Sequence, residues 1–173
     1  AAVALNVTST GASARSFVTV WPTGEARPLA SSLNTQVGED VPNLVIAKVG
    51  ADGKVSMYNN AGTAHLVADV VGWFPAGSGY TPLTPARLLD TREGFGIPLS
   101  GGQSIDLPVV GVGGAPASGV TAVVMNVTST AATARSFVTV WPTGEERPLA
   151  SSLNTQVGDD VPNLVIAKVG ADG

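Results

Sequence analysis

Apolar and polar residues alternate with a period of two along much of this chain, the signature of strands with one buried face. In residues 2–8, Val3, Leu5 and Val7 fall on one side and Ala4, Asn6 and Thr8 on the other. Residues 16–21 alternate again, with Phe17, Thr19 and Trp21 opposed to Val18 and Val20. Residues 22–28 hold two prolines and a glycine, which cannot continue a central ladder, so a loop is expected there. Residues 29–36 read as an edge strand of low apolar content. Runs 43–49 and 54–58 flank Gly50-Ala-Asp-Gly53, and an Asp-Gly pair between apolar runs predicts a β-hairpin.

Further on, Asn59 to Gly62 predicts another turn, and residues 63–74 the longest strand. Pro75 to Gly79 shows no periodicity and is the best linker candidate. Pro82 and Pro85 favour an extended entry to the next stretch. Residues 93–102 then read as a loop, 104–110 as a strand and 111–119 as a second glycine-rich loop. No stretch keeps helical spacing over three turns. The expectation is an all-β protein with seven to nine strands per 120 residues, folded as β-sandwich or jelly-roll-like units in tandem, with a β-trefoil as the alternative.

The pattern repeats. Residues 1–53 return as 121–173, Asn6 as Asn126 and Trp21 as Trp141, a period of 120 residues. Only Ala1/Thr121, Ala4/Val124, Leu5/Met125, Gly11/Ala131, Ser13/Thr133, Ala26/Glu146 and Glu39/Asp159 differ, leaving 46 of 53 positions identical. Near-identity at this period is the mark of a tandem array. The simplest reading is a window from a longer repetitive polypeptide, beginning in mid-pattern.

Composition narrows the function. Charged residues are 13% of the chain and the net charge is −4, with the nine basic residues scattered, which argues against a nucleic-acid partner. No cysteine is present, so neither a disulfide scaffold nor a thiolate metal site is possible. The apolar run 65–74 contains Asp69 and is too short to span a bilayer, so no membrane span is expected in this window.

Candidate chemistry is sparse. His65 is the sole histidine. It shares a strand face with Asp69 but stands about 13 Å from it, too far for a direct dyad. A serine nucleophile would need it as base, and the obvious candidates, Ser16 and Ser136, start strands. The chain therefore does not read as an enzyme, and no cofactor is expected. Glu39-Asp40 and Asp159-Asp160 are solvated acidic loop residues in one reading and calcium ligands in the other. Asn6-Val-Thr8 and Asn126-Val-Thr128 match a glycosylation pattern but lie within predicted strands, where cross-strand hydrogen bonding is the reading preferred.

Arg87, Asp90 and Arg92 have the spacing of a carboxylate held by an arginine fork, a device for fixing a loop against a sheet; a calcium or sugar contact is the functional alternative. Trp21, Trp73 and Trp141 are either packing anchors or a stacking platform for sugars.

Leu-Asn-Val-Thr (5–8), Phe-Val-Thr-Val-Trp-Pro (17–22), Val-Pro-Asn-Leu-Val (41–45), Ala-Asp-Val-Val-Gly-Trp-Phe-Pro (68–75) and Pro-Ala-Arg-Leu-Leu-Asp-Thr-Arg (85–92) together resemble a tandem repeat of secreted and surface proteins of actinobacteria and related bacteria. The resemblance covers essentially the whole chain and implies an extracellular or cell-surface location more than an activity. It implies a unit boundary as well: residues 1–75 as the C-terminal part of one unit, 76–79 as linker and 80–173 as the N-terminal part of the next. Members of that repeat often carry cysteines where this chain has Thr23 and Ser56.

On that division residues 80–173 lack the strands equivalent to 54–74. These would come from the continuing chain, from residues 54–74 of this window, or from a neighbouring copy by strand exchange. The functional expectation is a non-enzymatic structural protein, an array assembling with itself head to tail into a surface filament. A carbohydrate- or surface-binding adhesive module, with surface glycans as partners, is the alternative.

Overall fold

The computed structural model describes residues 1–93 and 97–173 and contains ten strands and no α-helix among them. In the first copy of the repeat these are β1 (Ala2–Thr10), β2 (Ser16–Pro22), β3 (Leu33–Thr35) and β4 (Val41–Lys48), followed by β5 (Val55–Asn59) and β6 (His65–Phe74). In the second they are β7 (Ala122–Ser129), β8 (Ser136–Val138), β9 (Leu153–Thr155) and β10 (Val161–Lys168). All pairings are antiparallel. The orders are β4-β1-β6 and β3-β2-β5 in the first copy, and β10-β7 and β8-β9 in the second.

The two three-stranded sheets of the first copy face each other over one core. Leu5 and Val7 of β1 and Val45 and Ala47 of β4 meet Val18 and Val20 of β2 and Leu33 of β3, with Val55, Met57 and Leu66 packed around them. Two facing antiparallel sheets form the sandwich arrangement. Alternation explains the choice of residues: Leu5, Val7 and Ser9 of β1 point inward, and the register with β6 shifts between Ala4 and Leu5. The longest strand falls where the sequence places it. Among the described residues of the first 120 there are six strands, rather than seven to nine.

Two other expectations fail. Residues 43–58 do not form a hairpin: β4 pairs with β1, whereas β5 pairs with β2 in the opposite sheet. The turn between them, a 3-10 turn over Ala51–Gly53, is therefore an arch from one layer to the other. Its anchor is Thr23, just beyond β2. Thr23 O accepts from Ala51 N at 2.8 Å, and Thr23 N donates to Lys54 O at 3.3 Å. A Cβ on Gly50 would lie 2.3 Å from both Thr23 N and Thr23 O, so only glycine permits this approach. Residues 104–110 are not a strand, although Ile105, Leu107 and Val109 alternate; no strand runs beside them to complete a ladder. Instead, Val109 N and Val110 N donate to Gly173 O at 2.8 and 3.1 Å. Of the loop expected over residues 93–102, the positions 94–96 lie outside the described residues.

The second copy repeats the local structure of the first but not its burial. Val20 N donates to Ser32 Oγ and Val140 N to Ser152 Oγ, both at 2.9 Å. Asn43 Nδ2 and Asn163 Nδ2 donate to Ser32 O and Ser152 O, both at 2.6 Å. Yet among the described residues nine of the ten buried hydrophobics belong to residues 1–47, and only Leu153 to the second copy. The strands show the cause. β2 runs through Pro22 because β5 pairs with it from Val18 to Pro22, whereas the same sequence in β8 stops at Val138, where pairing with β9 ends. β5 and β6 are both engaged in the first copy, so residues 54–74 do not complete the second.

Candidate functional site

The two copies touch through unlike surfaces. The edge of the first, from β3 to β4, lies against β10 of the second. Asn126 on β7 is the centre of the contact. Its Oδ1 accepts from Asn43 Nδ2 at 2.9 Å and its Nδ2 donates to Ser31 O at 2.8 Å. Asn43 Nδ2 also donates to Ser32 O, so both hydrogens of a buried amide are satisfied. Beside them Arg15 Nη2 donates to Gly158 O. Pro162 of β10 is buried, whereas its counterpart in the first copy, Pro42, is exposed.

The segment that follows the first copy folds back onto it. The rings of Phe74 and Tyr80 pack with centroids 4.8 Å apart, and burial pushes the Tyr80 phenol pKa up. Thr84 Oγ1 donates to Glu25 Oε2, and Glu25 Oε1 accepts from Lys48 Nζ at 2.6 Å. Hydrogen bonds from Lys48 and Thr84 hold the Glu25 carboxyl below its ordinary range. Arg87 Nη2 reaches Leu29 O at 3.2 Å while its Nη1 donates to Asp90 Oδ2 at 3.0 Å.

Asp90 gathers this segment. Arg92 donates to it from Nε at 2.9 Å, from Nη2 at 2.7 Å and from its backbone N–H at 3.1 Å. Two parallel guanidinium contacts and a third arginine donor favour the charged carboxylate. The Asp90 pKa is accordingly held well below the ordinary carboxylate range, first by the Arg92 side chain. A depressed folded-state pKa gives stability that is present above the unfolded value, near 3.9, and is lost as pH falls towards the folded one. Asp90→Asn should therefore flatten the acid limb: unfolding midpoints measured from about pH 4 downwards should fall less steeply than in the parent. Equal slopes would show that the clasp contributes nothing.

The structure thus brings Arg87, Asp90 and Arg92 together and leaves the tryptophans apart. Trp21 Nε1 donates to Glu25 O at 3.0 Å and Trp141 Nε1 to Glu145 O at 3.1 Å, each ring closing the loop of its own copy. Trp73 is 71% exposed on β6. The hydroxyls of Thr23 and Ser56 share a hydrogen bond of 2.8 Å between the end of β2 and β5. Ser16 Oγ accepts from Ala61 N at 2.7 Å and so holds a turn. Among the described residues no three His, Asp or Glu side chains converge in a metal-binding group. No helix among them is long and apolar enough to cross a membrane.

Sequence reasoning missed Asn43, Ser31 and Arg15, and gave Asn126 only a cross-strand role. Pairing at a separation of 83 residues leaves no local signal. The molecule is an all-β protein of small antiparallel sheets. No protein family, curated protein or solved structure matches the chain.

Proposed function

We propose that this protein is a non-enzymatic structural protein of the cell exterior, a β-repeat array that assembles head to tail into a surface filament. The observation that carries this reading is the contact of two near-identical copies through unlike surfaces: Arg15, Ser31 and Asn43 on one side, Asn126 and Gly158 on the other. A heterologous contact that does not close on itself propagates into a fibre. Sheets that stop at two strands in the second copy support the same reading, because unpaired edges recruit further chain. The scattered basic residues and net charge of −4 leave nucleic acid outside the proposal. Negative-stain electron microscopy of concentrated protein should show filaments with a regular axial repeat. Monodisperse monomers at the same concentration would overturn the proposal.

The adhesive reading has one observation in its favour. Trp73 stands on β6 among exposed Val67, Asp69, Val70 and Val71, an arrangement able to lie against a sugar ring. It requires that Trp73→Ala abolish binding to surface glycans while filaments persist in the same images.

A further inference from the structure

The junction inside the chain leaves one half of itself unused at each end. The second copy carries the same socket that the first uses: Arg135 matches Arg15, Ser151 matches Ser31 and Asn163 matches Asn43. The first copy carries the same plug that the second uses: Asn6 matches Asn126, Gly38 matches Gly158 and Pro42 matches Pro162. We infer that the socket edge of the second copy is the docking site for the plug face of the first copy in another molecule of this protein. This inference rests on the head-to-tail reading and names its contact residues.

The socket is already formed. Asn163 Nδ2 donates to Ser152 O at 2.6 Å, the geometry Asn43 has with Ser32 O while it also holds Asn126. Among the described residues the second hydrogen of the Asn163 amide has no acceptor, Arg135 makes no hydrogen bond, and Ser151 O accepts from no side chain. Next to Ser151 a concavity of about 290 Å³ opens between Phe137, Arg147 and Leu149. At the equivalent positions of the first copy Asn126 reaches Ser31 O and Arg87 reaches Leu29 O. Phe137 is exposed, whereas its counterpart Phe17 is half-buried.

The plug is available too. Asn6 sits on the central strand β1, on the face away from the core, opposite Leu44 of β4 and Asp69 of β6. Pro42 and Leu44 beside it on β4 are exposed, as is Gly38, whereas Pro162 is buried and Leu164 partly covered in the second copy. The occupant is therefore specified by the molecule itself. The surface that covers the socket of the first copy is the second copy's version of the plug, and 46 of 53 positions are shared.

Sedimentation velocity over a concentration series tests the inference. The parent chain should grow in mass with concentration. Asn6→Lys puts a long cation on the plug, and Ser151→Arg does the same in the socket; Asn6 is half-buried on the outer face and Ser151 exposed, and circular dichroism of each variant should show its strands kept. Each alone should weaken association by about tenfold or more, since two to three hydrogen bonds and the apolar contact beside them are lost. Mixed one to one, the variants should form dimers and stop there. The Asn6→Lys chain keeps an intact socket, and the Ser151→Arg chain keeps an intact plug. A parent that grows while both variants grow equally well, or a mixture with no dimer, would overturn this contact and leave the head-to-tail reading standing. A parent that stays monomeric throughout would overturn both.

Discussion

Leu33→Ala should destabilise the first copy by about 2–5 kcal/mol, the cost of a leucine truncation that leaves a cavity in a closed core. Leu33 is fully buried at the start of β3, an edge strand of its sheet, and clusters with Val18 and Val20 of β2 and with Val45 and Ala47 of β4. The two layers meet on it, so the loss should reach both. Leu29, four residues earlier and 84% exposed, gives the contrast: its truncation should stay within about 0.5 kcal/mol. Urea unfolding with an unchanged slope reads both values. Similar midpoints for the two variants would mean that the core does not lie between these sheets.

A second large effect should follow from supplying what the second copy lacks. Joining a further copy of residues 54–74 after Gly173 places a strand of the β5 type beside β8 and one of the β6 type beside β7. Val127, Val138, Val140 and Val165, half-buried now, would then take the places that Val7, Val18, Val20 and Val45 hold in the first copy. Full burial of a valine is worth about 1.5–3 kcal/mol, so completing a half-burial adds about 1 kcal/mol at each position. Hydrogen exchange should slow at residues 139–141, which carry no ladder at present but match the part of β2 that pairs with β5. Unchanged exchange there would show that the added segment does not dock.

How much of this was legible beforehand follows from how local each feature is. Strand positions were legible, because alternation records a buried face without reference to the partner. The Arg87–Asp90–Arg92 clasp was legible for a similar reason: residues two and three apart meet within one turn of chain. The arch over Ala51–Gly53 was not. Asp-Gly specifies a reversal, but whether the returning strand joins the same sheet or the opposite one depends on Thr23, nearly thirty residues away. Residues 104–110 carry the alternation of a strand and lack only a neighbour, which periodicity cannot report. The Asn126 contact lay beyond reach because an asparagine on an outer face reads the same whether it meets water or another copy. The two copies make the general point within one molecule. Their loops agree to 0.1 Å in the hydrogen bonds from Val20 and Val140, yet their interiors differ.

The pairing of β1 with β6 carries a mechanical consequence. Ala2 lies opposite Phe74, so the polypeptide enters and leaves the first body at the same end of one antiparallel ladder. Tension between those two points loads the ladder at its terminal rung and peels it open rung by rung, instead of shearing all rungs together. A fibre strung from such bodies would yield at modest force and lengthen under load, each body acting as a reserve of slack.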